Sequence, residues 1–388
     1  MNHDFDSIID RRNSGSYKWD TTRNPDTLPM WVADMDFRTA PEIISALRRR
    51  VDHGVFGYTY VPEEYYESVI GWFERRHGWT ISRDHFIYTS GIVPAISAII
   101  KALTVPGDKV IVQTPAYNCF FSSIRNNGCV LAPNELKRTG GRYTIDFDDL
   151  ERLAADPRAK VFLLCNPHNP SGRVWTRDEL TRIAGICLRN DVFVISDEIH
   201  CELTYPPFEY VPYGTLDDRY TRNASVCISP SKAFNIAGLQ IANIITPDPH
   251  VRRRIDKAIN INEVCDVNPF GVTATLAAYN HSENWLDELR TYLHENFELL
   301  RLTFSLRMPR LIVTPLEGTY LAWVDISATG LDDEEFCRRL ENEERLRLNP
   351  GRMYGRGGEG FVRINFACPR QVLADALERM AEFVNRLV

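Results

Sequence analysis

Five short apolar runs organise the middle of the chain: KVIVQ at 109–113, VFLLCN at 161–166, VFVIS at 192–196, SVCIS at 225–229 and QIANII at 240–245. Each is rich in β-branched residues and apolar at consecutive positions, the mark of strands covered on both faces. Helical apolar spacing separates them, as at 176–190. Strands alternating with helices in this way predict an α/β fold, a mainly parallel sheet sandwiched by helices.

Upstream, 41–53 reads as a helix entered through Thr39, and 62–77 as another stopped by Gly78. Beyond residue 268 helical spacing runs to 307, then gives way to strand-like stretches at 311–314, 320–325 and 361–365. Helices at 332–343 and 369–387 interleave with these. The expected division is an N-terminal arm, 1–40, joining a small α+β domain, 291–388, with the large domain at 41–290 between them.

Composition narrows the class. With 44% hydrophobic and 25% charged residues the chain folds as an ordinary globular protein. A formal charge of -7 gives no basic field, so neither nucleic acid nor an anionic membrane is expected as partner. No apolar signal core opens the chain and no apolar run approaches membrane-spanning length, which points to a cytoplasmic protein. The nine cysteines contain no C-x-x-C pair, so no disulfide framework and no metal site is expected.

Open α/β sheets bind ligands at the carboxyl ends of their strands, and three of those ends are polar here. NPHNPSG (166–172), DEIH (197–200) and PSK (230–232) each follow an apolar run directly. Taken singly they are a turn, an acidic helix cap and a solvated lysine. Together they supply what one amine-based cofactor chemistry needs: a lysine for a Schiff base, an acid facing a pyridine nitrogen, and donors for a phenolate oxygen and a phosphate.

In order and spacing these motifs resemble the fold-type I pyridoxal 5'-phosphate (PLP) enzymes of the aminotransferase class I/II superfamily, over roughly residues 30 to 388. The resemblance implies an aspartate-aminotransferase-like fold and PLP as cofactor. It gives Lys232 the covalent link to the cofactor and the Cα proton, and Asp197 the pyridine nitrogen. Asn169 is implied as donor to the phenolic oxygen, beside the substrate, and His200 stands where many relatives carry a tyrosine in that same contact. Phosphate is implied at the amides of Ile92 and Val93, where TSGIVPAISAIIKAL (89–103) opens a helix, with Ser229 and Ser231 beside it and Ser229 the better match. Tyr117 matches the aromatic residue stacked on the ring. One departure stands out: Gln240 occupies the place of the usual phosphate-binding arginine, which shifts the anchoring to the helix end and the hydroxyls.

Two further stretches, PMWVADMDF (29–37) and FGYTY (56–60), are similar to the carbon–sulfur β-lyase branch, the cystathionine β-lyases of the MalY/PatB type. That similarity implies a homodimer in which Tyr58 reaches the neighbouring subunit's cofactor, and a substrate cavity lined near Ala33. Arg363 in GFVRINFACP matches the arginine that grips an amino-acid substrate's α-carboxylate. The Gly-rich loop at 349–360 lacks the strand-loop-helix setting of a dinucleotide site and reads as a mobile substrate-side loop. The implied activity is β-elimination from cystathionine or another S-substituted cysteine. An aminotransferase is the alternative within the superfamily. A regulatory protein binding a transcription factor is the alternative outside catalysis; no helix-turn-helix module is attached for reading DNA.

Overall fold

The computed structural model describes residues 3–22, 24–261 and 267–387. Among the described residues the largest sheet has seven strands, in the order Phe86–Thr89, Ala242–Ile245, Ala224–Ile228, Phe193–Asp197, Ala159–Cys165, Lys109–Thr114, Val130–Glu135. The last five of these pair in parallel, and Ala242–Ile245 runs antiparallel to both neighbours. The apolar runs are continuous because successive residues bury on opposite faces. Val110, Val112, Val161, Leu163 and Ile195 share one core with Ile96 and Ile99 of helix Ile92–Leu103. Ile111, Phe162, Leu164 and Val194 share the other with Leu180 and Ile183 of helix Arg177–Arg189.

The two edge strands, Phe86–Thr89 and Val130–Glu135, extend the expected set. Val130–Glu135 carries Pro133 and Asn134 and is exposed at both ends, so its sequence lacks the unbroken apolar signal. Helix Pro41–His53 starts from Ala40, while the Thr39 hydroxyl donates to the Phe234 carbonyl. Gln240 falls outside its expected strand, in a left-handed conformation (φ 52°) closing the turn Ala237–Leu239.

A second, four-stranded antiparallel sheet orders Ile312–Val313, Leu321–Asp325, Phe361–Asn365 and Asn349–Pro350. Helices Glu283–Arg307, Asp333–Glu344 and Arg370–Leu387 accompany it. The N-terminal segment runs along this part of the molecule: Leu28–Pro29 pairs with Leu346–Arg347, and the Met30 carbonyl accepts from the Asn365 amide. Buried Glu317 ties the two sheets' connections together, accepting from Arg142 Nε (2.7 Å), Arg173 Nε (3.0 Å) and the Val174 amide (2.9 Å). Beside it Gly172 (φ 72°) accepts from the amides of Glu317 and Gly318, and a Cβ there would stand 2.8 Å from Leu316 Cδ1. The eight described cysteines are free, and Cys265 lies outside the described residues. No helix among the described residues is long and apolar enough to cross a membrane.

Candidate active site

A cavity of about 470 Å³ opens at the carboxyl ends of the parallel strands and is walled on one side by residues 31–33 of the N-terminal segment. Asp197, the last residue of its strand, points into it at 3% exposure. The one hydrogen bond described for its carboxylate comes from the Ile199 amide (3.2 Å), and burial raises its pKa to about 7. A carboxylate so placed calls for a cation to face it.

Lys232 enters from the turn after Ala224–Ile228, its Nζ donating to the Ala33 carbonyl at 2.5 Å. The Tyr320 hydroxyl donates to the same oxygen at 2.9 Å. Burial, helped by Arg363 and opposed by Asp34, lowers the Lys232 pKa to about 8, so about a tenth of the amine is neutral at pH 7. Arg363 is 3% exposed in its strand, donating through Nη1 to Asn169 Oδ1 (3.2 Å) and through Nη2 to the Trp31 carbonyl (2.8 Å). Tyr354 lies under its guanidinium at 5.0 Å, and Nε has no partner.

Helix Ile92–Leu103 opens on the cavity from Gly91, with no acidic residue in its first turn. The first-turn amides and the helix dipole suit an anion. Pro94, third in the helix, needs no intrahelical donor there. Buried His200 leaves Nδ1 unpartnered, and burial lowers its pKa to about 3, so the ring is neutral. Its ring meets Tyr320 edge-on at 5.9 Å.

Ten of the residues named from sequence line this one cavity: Ala33, Ile92, Val93, Tyr117, Asn169, Asp197, His200, Ser231, Lys232 and Arg363. Two do not. Ser229 lies behind Ser231, its hydroxyl donating to the Ile241 carbonyl (2.6 Å) and accepting from the Ser231 amide (3.1 Å). Tyr58 is 96% exposed and away from its own chain's cavity. Gln240 is likewise exposed and outside it. The loop at 349–360 contributes Asn349 and Met353, and is pinned by Arg352 on Asp333 (3.1 Å). Tyr320 and Tyr354 carried no sequence signal, since packing of the second sheet alone brings them here.

These groups fit PLP: a helix end for the phosphate, an acid for the pyridine nitrogen, an amine for the aldehyde. With a doubly covered, mostly parallel sheet, they define the class of PLP-dependent enzymes of fold type I. The aminotransferase class I and II family model matches residues 26–380, and the chain belongs to that family. It is 41% identical to the cystathionine beta-lyase PatB of Bacillus subtilis, over 97% of this chain and 98% of that protein. Cystalysin from Treponema denticola, solved with pyridoxal 5'-phosphate, superposes with a TM-score of 0.97 at 36% identity, covering 100% of both chains. A PLP-bound putative aminotransferase from Clostridium difficile gives 0.96 at 41% identity, over 99% of this chain and 100% of that one.

Proposed function

We propose that this protein is a PLP-dependent carbon–sulfur β-lyase that cleaves cystathionine or a related S-substituted cysteine to a thiol, pyruvate and ammonia. The observation that carries the reading is the Lys232 amine, held at 2.5 Å on a carbonyl of the WVADMDF segment, in the same cavity as the Arg363 guanidinium. When bound, PLP supplies the electron sink for the charge left at Cα.

The chain's own groups do the rest. Arg363 exchanges its Asn169 bond for the substrate's α-carboxylate, whose planar shape suits a guanidinium. Asn169 is thereby released towards the phenolic oxygen, and Asp197 holds the proton of the ring nitrogen. The neutral Lys232 amine takes the Cα proton, a step worth roughly 10²- to 10⁴-fold in rate. The C–S bonding pair departs with sulfur as a thiolate. The three-carbon fragment then hydrolyses to pyruvate and ammonia. Helix 92–103, with the Ser231 hydroxyl, holds the phosphate.

The protein acts as a cytoplasmic homodimer in this proposal. Val55, Phe56, Tyr58 and Tyr60 are all more than half exposed on one stretch, an apolar surface suited to a second subunit's site mouth. The arm 1–40, large domain 41–290 and small domain 291–388 complete it. The test incubates the PLP-loaded protein with S-substituted L-cysteines and measures pyruvate and free thiol, expected in equal amounts. Stoichiometric conversion of the cofactor to its pyridoxamine form, with sulfur retained in the keto acid, would instead establish an aminotransferase.

A further inference from the structure

The charge inventory of the cavity bears on which sulfur compounds fit. Its charged lining residues, among those described, are Asp197, Lys232 and Arg363. The lyase reading commits each: one to the pyridine nitrogen, one to the cofactor's aldehyde and the Cα proton, one to the α-carboxylate. Among the described residues of one chain no lining cation remains for a second carboxylate, and no lining acid for a second ammonium.

The wall that leads outward from the carboxylate grip is aromatic. The Trp31 carbonyl accepts from Arg363 Nη2, and the Trp31 ring meets Tyr17 at 5.3 Å. Tyr17 is 68% exposed and lines the cavity at its mouth. Met353 and Cys119 add neutral surface. The Asn349 amide is occupied, donating to the Trp31 carbonyl (2.8 Å) and the Tyr354 hydroxyl (3.1 Å).

Two charges beside this wall lie outside the cavity. Asp34 is bonded by Arg11 at 2.7 and 3.2 Å. Arg347 stacks on the Trp31 ring at 4.1 Å, donates to the Thr21 carbonyl and does not line the cavity. The exposed stretch from Val55 to Tyr60, which the dimer brings to such a mouth, is uncharged.

From this we infer that the leaving-group end of the site selects cysteine S-conjugates with uncharged, apolar or aromatic sulfur substituents and discriminates against cystathionine, with Trp31 and Tyr17 as the specificity-determining residues. The inference rests on the lyase reading. Cystathionine's distal half carries an ammonium and a carboxylate, and desolvating them against aromatic rings without partners is unfavourable. A benzyl or alkyl group gains area on the same rings.

The experiment compares S-benzyl-L-cysteine, S-methyl-L-cysteine and L-cystathionine. With the PLP-loaded enzyme, kcat/KM for the benzyl conjugate is expected to exceed that for cystathionine at least tenfold. Trp31→Ala and Tyr17→Ala each cut that advantage at least fivefold through KM, and in Tyr17→Ala S-methyl-L-cysteine changes less than twofold. Tyr17 makes no described side-chain hydrogen bond, so its variant keeps the test open if Trp31→Ala misfolds. Tyr17→Arg raises the relative rate on cystathionine. Calorimetry on PLP-loaded Lys232→Ala protein, which does not turn over, is expected to show the same order of affinities. A benzyl advantage below tenfold, or variants that shift all three compounds equally, overturns the inference. Absence of pyruvate from all three overturns the lyase reading instead, and calorimetry then decides the binding preference by itself.

Discussion

One cavity is bounded by two regions held in unlike ways. Its floor consists of side chains at strand ends: Asp197 closes a strand buried at every position, and Asn169 and Lys232 follow two more. Their positions come from a sheet packed on both faces. Its N-terminal wall, residues 31–33, has no regular secondary structure. Its Trp31 and Ala33 carbonyls are gripped by Arg363, Asn349, Lys232 and Tyr320, and buried charge anchors the segment just beyond: Asp36, 5% exposed, accepts from Arg11 Nη1 (2.6 Å), Lys18 Nζ (2.7 Å) and Trp19 Nε1 (2.8 Å). Lys18 is itself 1% exposed, and Arg11 also bridges to Asp34. The difference teaches that chemistry and stability are separable here. A floor side chain can be lost without unfolding the sheet, whereas the wall depends on a few buried charges that fail together.

The largest separation is expected from Lys232→Ala. Pyruvate formation falls roughly a thousandfold or more, the visible band of the covalently held cofactor disappears, and the urea midpoint stays near wild type. An unchanged band removes Lys232 from its assigned role. The opposite pattern is expected from Asp36→Ala, which leaves Arg11 and Lys18 to share Asp34 alone. Breaking such a pair costs about 3–5 kcal/mol in urea unfolding. Cofactor affinity should change less than threefold while KM rises, because the wall borders substrate. If cofactor affinity collapses along with stability, the two regions are one unit and the contrast fails.

The same contrast governs what the sequence made legible. Consecutive apolar runs locate strand ends closely, so Asp197, Asn169 and Lys232 stood out as polar residues at those ends. The helix opened by Gly91 was equally readable. Edge strands were not, because Phe86–Thr89 pairs on one side and Val130–Glu135 is broken by Pro133 and Asn134. The choice between Ser229 and Ser231 turns on which hydroxyl faces the cavity, which no periodicity encodes. Tyr320, Tyr354 and Tyr17 come from segments remote in sequence, and only packing of the second sheet and the N-terminal segment brings them to the site. The Asp36 cluster was invisible for the same reason: its partners at Arg11, Lys18 and Trp19 lie in a stretch without apolar periodicity.

Acidity sharpens the comparison at the floor. In the cofactor-free chain burial raises Asp197 from 3.8 to about 7. A carboxyl with a folded-state pKa above its unfolded one stabilises most below the unfolded value and loses that contribution as pH rises through the folded one. The Asp197 contribution should therefore fall between about pH 4 and 7, by on the order of 4 kcal/mol as an upper bound, while buried His168 and His200, both lowered to about 3, contribute in the opposite sense as pH rises to about 6.5. Those histidines and Glu198, which burial also raises to about 7, are common to wild type and Asp197→Asn, so the variant should gain stability relative to wild type from pH 5.5 to pH 8. Parallel urea-unfolding curves for the two proteins at pH 5.5 and pH 8 would show that Asp197 already has a cation without the cofactor.

The smallest effect is expected where resemblance alone pointed to the phosphate. Gln240 occupies the sequence place of an arginine, yet its side chain is exposed and outside the cavity. Ser231 lines the cavity, and losing one hydrogen bond to a charged phosphate is worth about 1.5–3 kcal/mol, tenfold or more in cofactor affinity. Ser231→Ala should show that loss by equilibrium dialysis, while Gln240→Ala and Gln240→Arg stay within twofold of wild type. Both replacements keep a Cβ at φ 52°, so backbone strain is common to all three residues and cancels. A tenfold gain for Gln240→Arg would mean that a side chain there reaches the phosphate after all. The anchoring would then be shared between the helix end and the turn at 237–240, and the floor would extend further than the strand ends that define it.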